Sequence, residues 1–133
     1  MAVTTEDYVA ISDHMGRYCW AVDGNDPEGW ADLWTEDGVF TGIAPEPVVG
    51  RAALMEVPRD EWRQAGGRMR HLIGNLHCDY VDGRDTVRAR YYNFVSSWVD
   101  GGSFTCMALS EVLLVRRGGG WLIKRNDSTV FRG

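Results

Sequence analysis

The spacing of apolar residues changes once along this chain of 133 residues, and the change limits the folds that the chain can adopt. In the first third, apolar side chains recur at the i, i+3, i+4 spacing that forms one stripe along a helix. The stripe consists of Tyr8, Ile11, Met15, Tyr18 and Val22. From Arg68 onward the period is two, which is typical of β-strands. Helices followed by consecutive strands predict an α+β fold.

Caps and turns set the expected boundaries of three helices and five strands. The first helix begins at Thr4 or Thr5 and ends at the turn 23–25, where a second helix follows. The third helix runs from about Arg51 to Ala65, and Pro58 is expected to break or kink it. The predicted strands are one short segment, 39–41, and four long ones, 68–82, 86–100, 103–117 and 121–131. We expect the helices to pack on one face of a curved, mostly antiparallel sheet.

Composition and charge exclude several classes of protein. With 44% hydrophobic and 25% charged residues, the chain is expected to form one globular domain that covers 1–133. The net charge of −5, without a basic cluster, argues against nucleic acid or an anionic membrane surface as a partner. No apolar run approaches the roughly 18 residues that a membrane-spanning helix needs.

The cysteines and the N-terminal residues predict the compartment. Cys19, Cys78 and Cys106 are odd in number and far apart, which indicates buried thiols in a reducing environment rather than disulfides. The first residues lack the basic and apolar regions of a signal peptide. We therefore expect a cytoplasmic protein.

Asp23 and His71 are the candidate catalytic residues. His71 lies on the first long strand, where strand parity places it on the same face as Ile73, Asn75 and His77. Asp23 ends the first helix at the edge of the apolar stripe, so the two side chains meet if that helix covers the concave face of the sheet. A carboxylate that holds one imidazole nitrogen prepares the other as a general base. A structural strand histidine and a turn aspartate remain the alternative interpretation.

Four further residues are candidates for substrate binding. Arg125 alternates with apolar residues on the last strand, so it faces either the interior or the solvent, and the pattern leaves both open. Tyr18 and Tyr91 are core residues or hydroxyl donors on a pocket wall. Phe40 and Tyr91, together with Trp20, are expected to line a mostly apolar cavity of at least about 300 Å³.

Motifs for other chemistries are absent from the sequence. It contains no glycine-rich phosphate loop, no Cys-x-x-Cys, no His-Glu-x-x-His and no Gly-x-Ser-x-Gly. No acidic cluster has the spacing of metal ligands. We therefore expect acid–base chemistry with no cofactor and no metal.

Several segments resemble the SnoaL-like or nuclear-transport-factor-2-like superfamily of α+β cones. The segment 34–40, Trp-Thr-Glu-Asp-Gly-Val-Phe, is similar to its second helix, turn and first strand, and the segment 120–125 is similar to its last strand. The segments 21–23, 70–74 and 124–126 resemble the branch that contains scytalone dehydratase and hexachlorocyclohexane dehydrochlorinase. This resemblance implies a cone-shaped α+β barrel.

The resemblance also implies an activity. In that branch the matching aspartate and histidine form a catalytic dyad, so these roles would fall on Asp23 and His71, and the arginine matching Arg125 lines the pocket. The implied function is a cofactor-independent lyase of the dehydratase type that acts on a small apolar cyclic or polyketide-like compound. A homo-oligomer, dimer or trimer, is expected.

Three departures from that branch keep other functions open. Tyr18 replaces a lysine of the dehydrochlorinase, and Val22 replaces a tyrosine of scytalone dehydratase, which also has a second histidine on a later strand. The identity of the substrate therefore does not carry over. The alternatives are an isomerase or cyclase of the same fold, a protein that binds a small ligand without turnover, and a non-catalytic partner resembling the small subunit of aromatic-ring dioxygenases.

Overall fold

Three α-helices form on the N-terminal side of the fold in the computed structural model, which describes residues 1–132. They are α1 (Thr5–Asp23), α2 (Pro27–Ala31) and α3 (Arg51–Ala65). The hydroxyl of Thr4 caps α1 by accepting a hydrogen bond from the backbone N–H of Asp7 at 3.1 Å. Gly66, in the left-handed conformation with φ +59°, ends α3. The predicted ends of α1 and α3 agree with these bounds. The second helix ends at Ala31, so the segment 34–38 does not contain the helix end and the turn that the resemblance implied.

Six strands form one curved sheet against which the helices pack. They are β1 (Trp34–Thr41), β2 (Val48–Val49), β3 (Met69–Tyr80), β4 (Thr86–Ser97), β5 (Ser103–Arg117) and β6 (Gly120–Val130). Their order is β2-β1-β6-β5-β4-β3, and within the described chain β1 and β6 form the one parallel pair. The predicted α+β class, with helices on one face of a mostly antiparallel sheet, is confirmed. The pairing of β2 with β1 was not predicted.

Pro58 does not interrupt α3, so of the break or kink that was expected, the break is wrong. The helix is continuous from Arg51 to Ala65, with the proline inside it. A proline removes one backbone donor and crowds the preceding turn, which costs a helix several kcal/mol in isolation. Leu54 and Pro58 are both fully buried, and this packing against the core offsets the cost.

A cluster of aromatic rings fills one part of the space between the helices and the sheet. The rings lie in tilted contacts with centroids 5.1–6.2 Å apart, and they belong to Tyr18, Trp30, Trp34 and Phe40. Such pairs contribute beyond their buried area. Tyr18 and Phe40 also face the cavity described below, so this cluster forms one of its walls.

A β-bulge in β3 changes the face on which the later residues of that strand lie. Gly74 pairs with Tyr92, but His77 pairs with Arg90, so one extra residue lies in β3. Asn75 takes the left-handed conformation at this point, with φ +59°. The prediction that Asn75 and His77 share the face of His71 is therefore wrong, because the bulge reverses the parity. Asn75 and His77 are both exposed.

The N-terminal end of α1 is held to the sheet by a buried carboxylate. Asp7 accepts hydrogen bonds from the hydroxyl of Tyr80 and, at 2.9 Å, from Nη2 of Arg116. The Arg116 and Tyr80 hydrogen bonds lower the pKa of Asp7 below its ordinary value of 3.8. Because the folded pKa is depressed, the stabilisation is present above about pH 4 and is lost as the pH falls through the folded pKa.

Tyr80→Phe is expected to lower the free energy of unfolding by about 1.5–3 kcal/mol at pH 7, because the charged Asp7 loses a buried donor. Urea denaturation measures this difference. Tyr92→Phe is the matched control, since the Tyr92 side chain lies at an exposed position, and it should change stability by less than about 0.5 kcal/mol. Equal midpoints for the two variants would show that the Tyr80 hydroxyl does not stabilise the fold.

Candidate active site

A cavity of about 600 Å³ lies between α1, α3 and the concave face of the sheet. Its lining is mostly apolar, with polar groups on α3 and on the sheet side. The apolar wall includes Val22, Phe40, Val57, Met69 and Val95. The cavity exceeds the predicted minimum of about 300 Å³ and has room for a ring-sized ligand. Phe40 lies on its wall, as expected.

Asp23 and His71 meet at this cavity. Oδ1 of Asp23 lies 2.6 Å from Nδ1 of His71, and Oδ2 accepts a hydrogen bond from the backbone N–H of His71 at 2.8 Å. The two side chains are 7% and 13% exposed, respectively. An ionised Asp23 accepts a hydrogen bond from Nδ1–H of His71. In the neutral imidazole, Nε2 is therefore the nitrogen with a free lone pair. The predicted hydrogen bond is therefore present, and His71 forms part of the cavity wall.

Glu61 is a second acidic residue at this site, and the sequence analysis missed it. Its Oε1 lies 3.5 Å from Nδ1 of His71, and its side chain is 14% exposed. Burial, the largest cause, and the neighbouring charge of Asp23 together raise the pKa of Glu61 to about 9. The signal was present in the sequence: Glu61 follows the buried Leu54 and Pro58 at helical spacing, so it occupies an apolar position of α3.

Three groups at this site could in principle hold a metal ion. A ligand atom from each of Asp23, Glu61 and His71 lies within 4.8 Å of the others. Both oxygens of Asp23 already accept N–H groups of His71, and the raised pKa of Glu61 keeps its carboxyl protonated at neutral pH. A metal would have to displace that proton and one of these hydrogen bonds. The arrangement therefore fits a hydrogen-bonded proton better than a cation.

A second polar group of residues faces the cavity from the sheet and α1. The hydroxyl of Tyr18 accepts a hydrogen bond from Nδ2 of Asn126 at 3.3 Å, which leaves its own proton available for donation. Burial raises the pKa of Tyr18 well above its usual range, so the hydroxyl stays neutral. Oδ1 of Asn93, a buried residue of the cavity wall, has no hydrogen-bond partner within residues 1–132. Such unpaired groups are available to a bound ligand.

Tyr91 and Trp20 do not line the cavity, in contrast to the expectation. Tyr91 points inward from β4 but is packed in the core, 2% exposed, while Asn93 and Val95 further along the same face form the wall. Trp20 is 83% exposed because it lies two residues from Tyr18 on α1, about 200° around the helix. The cavity occupies only one end of the concave face, and parity alone does not specify which end.

Arg125 also lies away from the cavity, because a second bulge reverses the parity of β6. Leu114 pairs with Ile123 but Leu113 pairs with Arg125, so Lys124 is the extra residue. The Arg125 side chain is 49% exposed and forms an ion pair with Asp127 at 2.9 Å. Asn126 takes the inward position instead and is 1% exposed. The inward orientation considered for Arg125 is therefore wrong.

Residues 3–127 match the family model described as the SnoaL-like domain. This chain belongs to the SnoaL-like family. A search of curated proteins finds no match for it. The SnoaL-like chain is similar to Rv3472, a protein of unknown function from Mycobacterium tuberculosis, with 29% identity and a TM-score of 0.86 over 96% of this chain and 73% of that one.

Two further solved structures resemble the SnoaL-like chain. An NTF2-like protein with a cystatin-like fold from Novosphingobium aromaticivorans has 24% identity and a TM-score of 0.85, over 96% of this chain and 84% of that one. A structure from Catenulispora acidiphila in complex with S-DNPA has 27% identity and a TM-score of 0.83, over 96% and 95% of the two chains. The predicted superfamily is confirmed.

The site of this SnoaL-like chain brings a base and hydrogen-bonding groups to one apolar cavity. Nε2 of His71 can accept a proton, and Tyr18 and Asn93 can bind an oxygen of a ligand. A mostly apolar lining strengthens such polar interactions because it excludes water.

Within residues 1–132, no helix has both the length and the hydropathy to cross a bilayer.

Proposed function

We propose that this SnoaL-like chain is a lyase of the dehydratase type that removes water from a small, largely apolar cyclic or polyketide-like compound. The observation that carries the proposal is the Asp23–His71 hydrogen bond of 2.6 Å at the wall of a 600 Å³ cavity. This pair supplies a positioned base, and the cavity supplies the orientation that acid–base catalysis needs. The reaction requires no metal or redox cofactor.

The proposed reaction uses His71 first as a base and then as an acid. Nε2 removes a proton from the carbon next to a carbonyl, and the electron pair of the C–H bond passes into an enolate. The enolate reforms the carbonyl, a carbon–carbon double bond forms, and the C–O bond to the hydroxyl at the next carbon breaks. The proton on Nε2 passes to the departing oxygen, which leaves as water, so His71 returns to its neutral form. Asp23 stabilises the transient imidazolium and remains a carboxylate.

Tyr18 and Asn93 are proposed to bind the substrate oxygen, a role that the sequence analysis gave to Tyr18 and Arg125. The Tyr18 hydroxyl, which already accepts from Asn126, can donate to the carbonyl on which negative charge develops. The amide of Asn93 has an unpaired oxygen that can accept the proton of a substrate hydroxyl. Phe40 supplies an apolar surface for a ring.

The comparisons support a cavity that binds small molecules. A solved structure similar to this chain, from Catenulispora acidiphila, is a complex with S-DNPA. That ligand belongs to the other protein, but its presence in the same fold favours a small-molecule substrate for this chain. A protein that binds such a ligand without turnover is the principal alternative, and activity measurements distinguish the two.

A homo-oligomer and a cytoplasmic location also remain proposals. The outer face of the sheet carries a group of exposed apolar side chains, namely Leu72, Tyr92, Phe94, Phe104 and Phe131. Apolar groups of this kind favour contact with a second copy of the chain, which light scattering in solution would measure.

The cytoplasmic location is supported by Cys19, Cys78 and Cys106, which are all free thiols, although only Cys78 is buried as predicted.

Hydroxylated cyclic ketones are expected to lose water in the presence of the protein, and the rate is expected to survive exhaustive chelation. The conjugated product absorbs in the ultraviolet, so absorbance follows the reaction, and mass spectrometry confirms the loss of water. Heat-treated protein is the control. Activity that chelation abolishes and one metal restores would contradict the proposed mechanism, and ligand binding without turnover would favour the binding-protein alternative.

A further inference from the structure

Two carboxyl groups, one buried and the other 14% exposed, lie against the same imidazole nitrogen, and they differ in their hydrogen-bond donors. Asp23 accepts two N–H groups, both from His71, at 2.6 and 2.8 Å. Glu61 lies on the neighbouring helix α3 with Oε1 3.5 Å from the same Nδ1. One carboxylate oxygen of Asp23 and one of Glu61 lie within 4.8 Å of each other. Two carboxylates at that distance, largely shielded from solvent, repel each other, so one of them holds a proton. The carboxyl with two N–H donors retains the charge, and the other takes the proton.

We propose that Glu61 is a positioning residue that acts as a neutral carboxylic acid and donates a hydrogen bond to Asp23, which completes a Glu61–Asp23–His71 chain. The kinetic part of this proposal rests on the proposed lyase function. The charge state of Glu61 does not rest on it. Glu61 acts through Asp23, since it contacts the dyad on its Nδ1 side rather than through the free Nε2.

The groups that face Glu61 are consistent with this charge state. Those from the elements packed against α3 are Tyr18, Cys19 and Asp23 on α1, and Arg70 and His71 on β3. Among these groups, the positively charged Arg70 lowers the pKa of Glu61. Its guanidinium, however, donates hydrogen bonds to the backbone carbonyls of Gly67 and Met69. Burial is the largest cause and the Asp23 charge the next, and together they raise the pKa of Glu61 to about 9.

A neutral Glu61 allows the imidazolium form of His71 to release its proton more readily than an ionised Glu61 would. With Asp23 as the sole carboxylate, a protonated His71 is balanced by one negative charge. When Glu61 ionises, a second negative charge faces Nδ1 and stabilises the imidazolium. Nε2 then releases its proton to the departing oxygen less readily. Turnover is therefore expected to decline as the pH rises toward 9.

The charge state also gives stability a defined pH dependence. The folded pKa of Glu61 lies above the ordinary value of 4.5, so the unfolded chain releases this proton near pH 4.5 while the folded chain keeps it to about 9. The stabilisation is fully present below pH 4.5 and declines as the pH rises through that window. One proton corresponds to a change in the unfolding equilibrium constant of about tenfold per pH unit.

Glu61→Gln tests this charge state, because an amide also donates to Asp23 but carries no titrating proton. Urea denaturation at several pH values from 5 to 8 measures the unfolding equilibrium constant. For the wild type this constant should rise by about tenfold per pH unit relative to that of Glu61→Gln. Glu56→Gln is the matched control, since Glu56 lies on the same helix and is 52% exposed. It should follow the wild type. Parallel curves for the wild type and Glu61→Gln would overturn the proposal.

A second measurement does not need the variant. In the wild type with ¹³C-labelled glutamate, the carboxyl resonance of Glu61 should titrate near pH 9. A metal site is the competing interpretation of the Asp23, Glu61 and His71 cluster. Calorimetric titration with Zn²⁺ at pH 7.5 should give no binding at this site. Tight binding that Glu61→Gln abolishes would overturn the proposal.

The kinetic test uses a substrate found by the screen described above. Glu61→Gln should remove the alkaline decline of kcat, and Glu61→Ala, which lacks a donor, should lower kcat more than Glu61→Gln does at pH 7. KM should change less than kcat in both variants, since Glu61 acts through Asp23. A decline of kcat that persists in Glu61→Gln would refute the kinetic role. Failure to find any substrate would count against the lyase proposal and leave the stability test of Glu61 intact.

Discussion

His71→Gln is expected to lower kcat by about 10⁴-fold or more on any substrate that the protein dehydrates. One imidazole serves as the base that removes the proton and as the acid that returns it, and each role is typically worth about 10²–10⁴-fold. Glutamine has a similar volume and can still accept and donate hydrogen bonds, but it cannot take up a proton at neutral pH. The loss should therefore appear in kcat while substrate binding persists.

His77→Gln is the matched control for this variant. His77 lies on the same strand, but the bulge at Asn75 turns it to the outside, where it bonds with Asp79 at 3.0 Å. Its replacement should leave turnover unchanged, and circular dichroism should show both variants folded. If His71→Gln keeps near-full turnover, the dyad is misassigned and the ligand-binding alternative gains support.

Most of the fold followed from local signals in the sequence. The Thr4 cap and the turn after Asp23 bounded α1, and the glycines on either side of α3 bounded that helix. These signals act over a few residues, so one sequence is enough to interpret them. The parallel pairing of β1 with β6 depends on contacts distant in the chain, and no local pattern specifies it.

On β3 and β6, the predicted orientation of a side chain is right only where strand parity is uninterrupted. His71 precedes the bulge in β3, so its predicted orientation is right, while Asn75 lies at the bulge and is exposed. Arg125 follows the extra residue Lys124 in β6, so it faces solvent. A single inserted residue reverses every later side chain, and neither bulge has a glycine at the extra position to reveal it.

Glu61 escaped the sequence analysis for a different reason. A glutamate on the apolar stripe of α3 indicates a buried acid, but its partner Asp23 lies on another helix and the sequence does not bring the two together. The dyad itself was predicted because two weak signals, a helix-end aspartate and a strand histidine, coincide with a family resemblance. A second carboxyl with no such resemblance requires the structure.

Asp23→Asn is expected to lower kcat by roughly 10²–10⁴-fold, less than His71→Gln does, because the imidazole itself remains. The amide retains the side-chain volume and can still accept the backbone N–H of His71. Its NH₂ group would then face Nδ1 and donate to it, which moves the ring proton to Nε2 and blocks the base. The variant should be folded but should hold the wrong tautomer, which ¹⁵N NMR of the imidazole detects.

The same substitution should also change Glu61. Since the charge of Asp23 is the second cause of the raised pKa of Glu61, its removal should shift the glutamate titration from about 9 toward its usual value. Asp13→Asn, on the exposed side of the same helix and paired with Arg17, is the control and should affect neither kcat nor this titration. A variant Asp23→Asn with unchanged turnover and an unchanged Glu61 titration would show that the three groups do not act together. A loss of turnover accompanied by the shift would link the base, its orienting carboxylate and the protonated acid in one hydrogen-bonded chain.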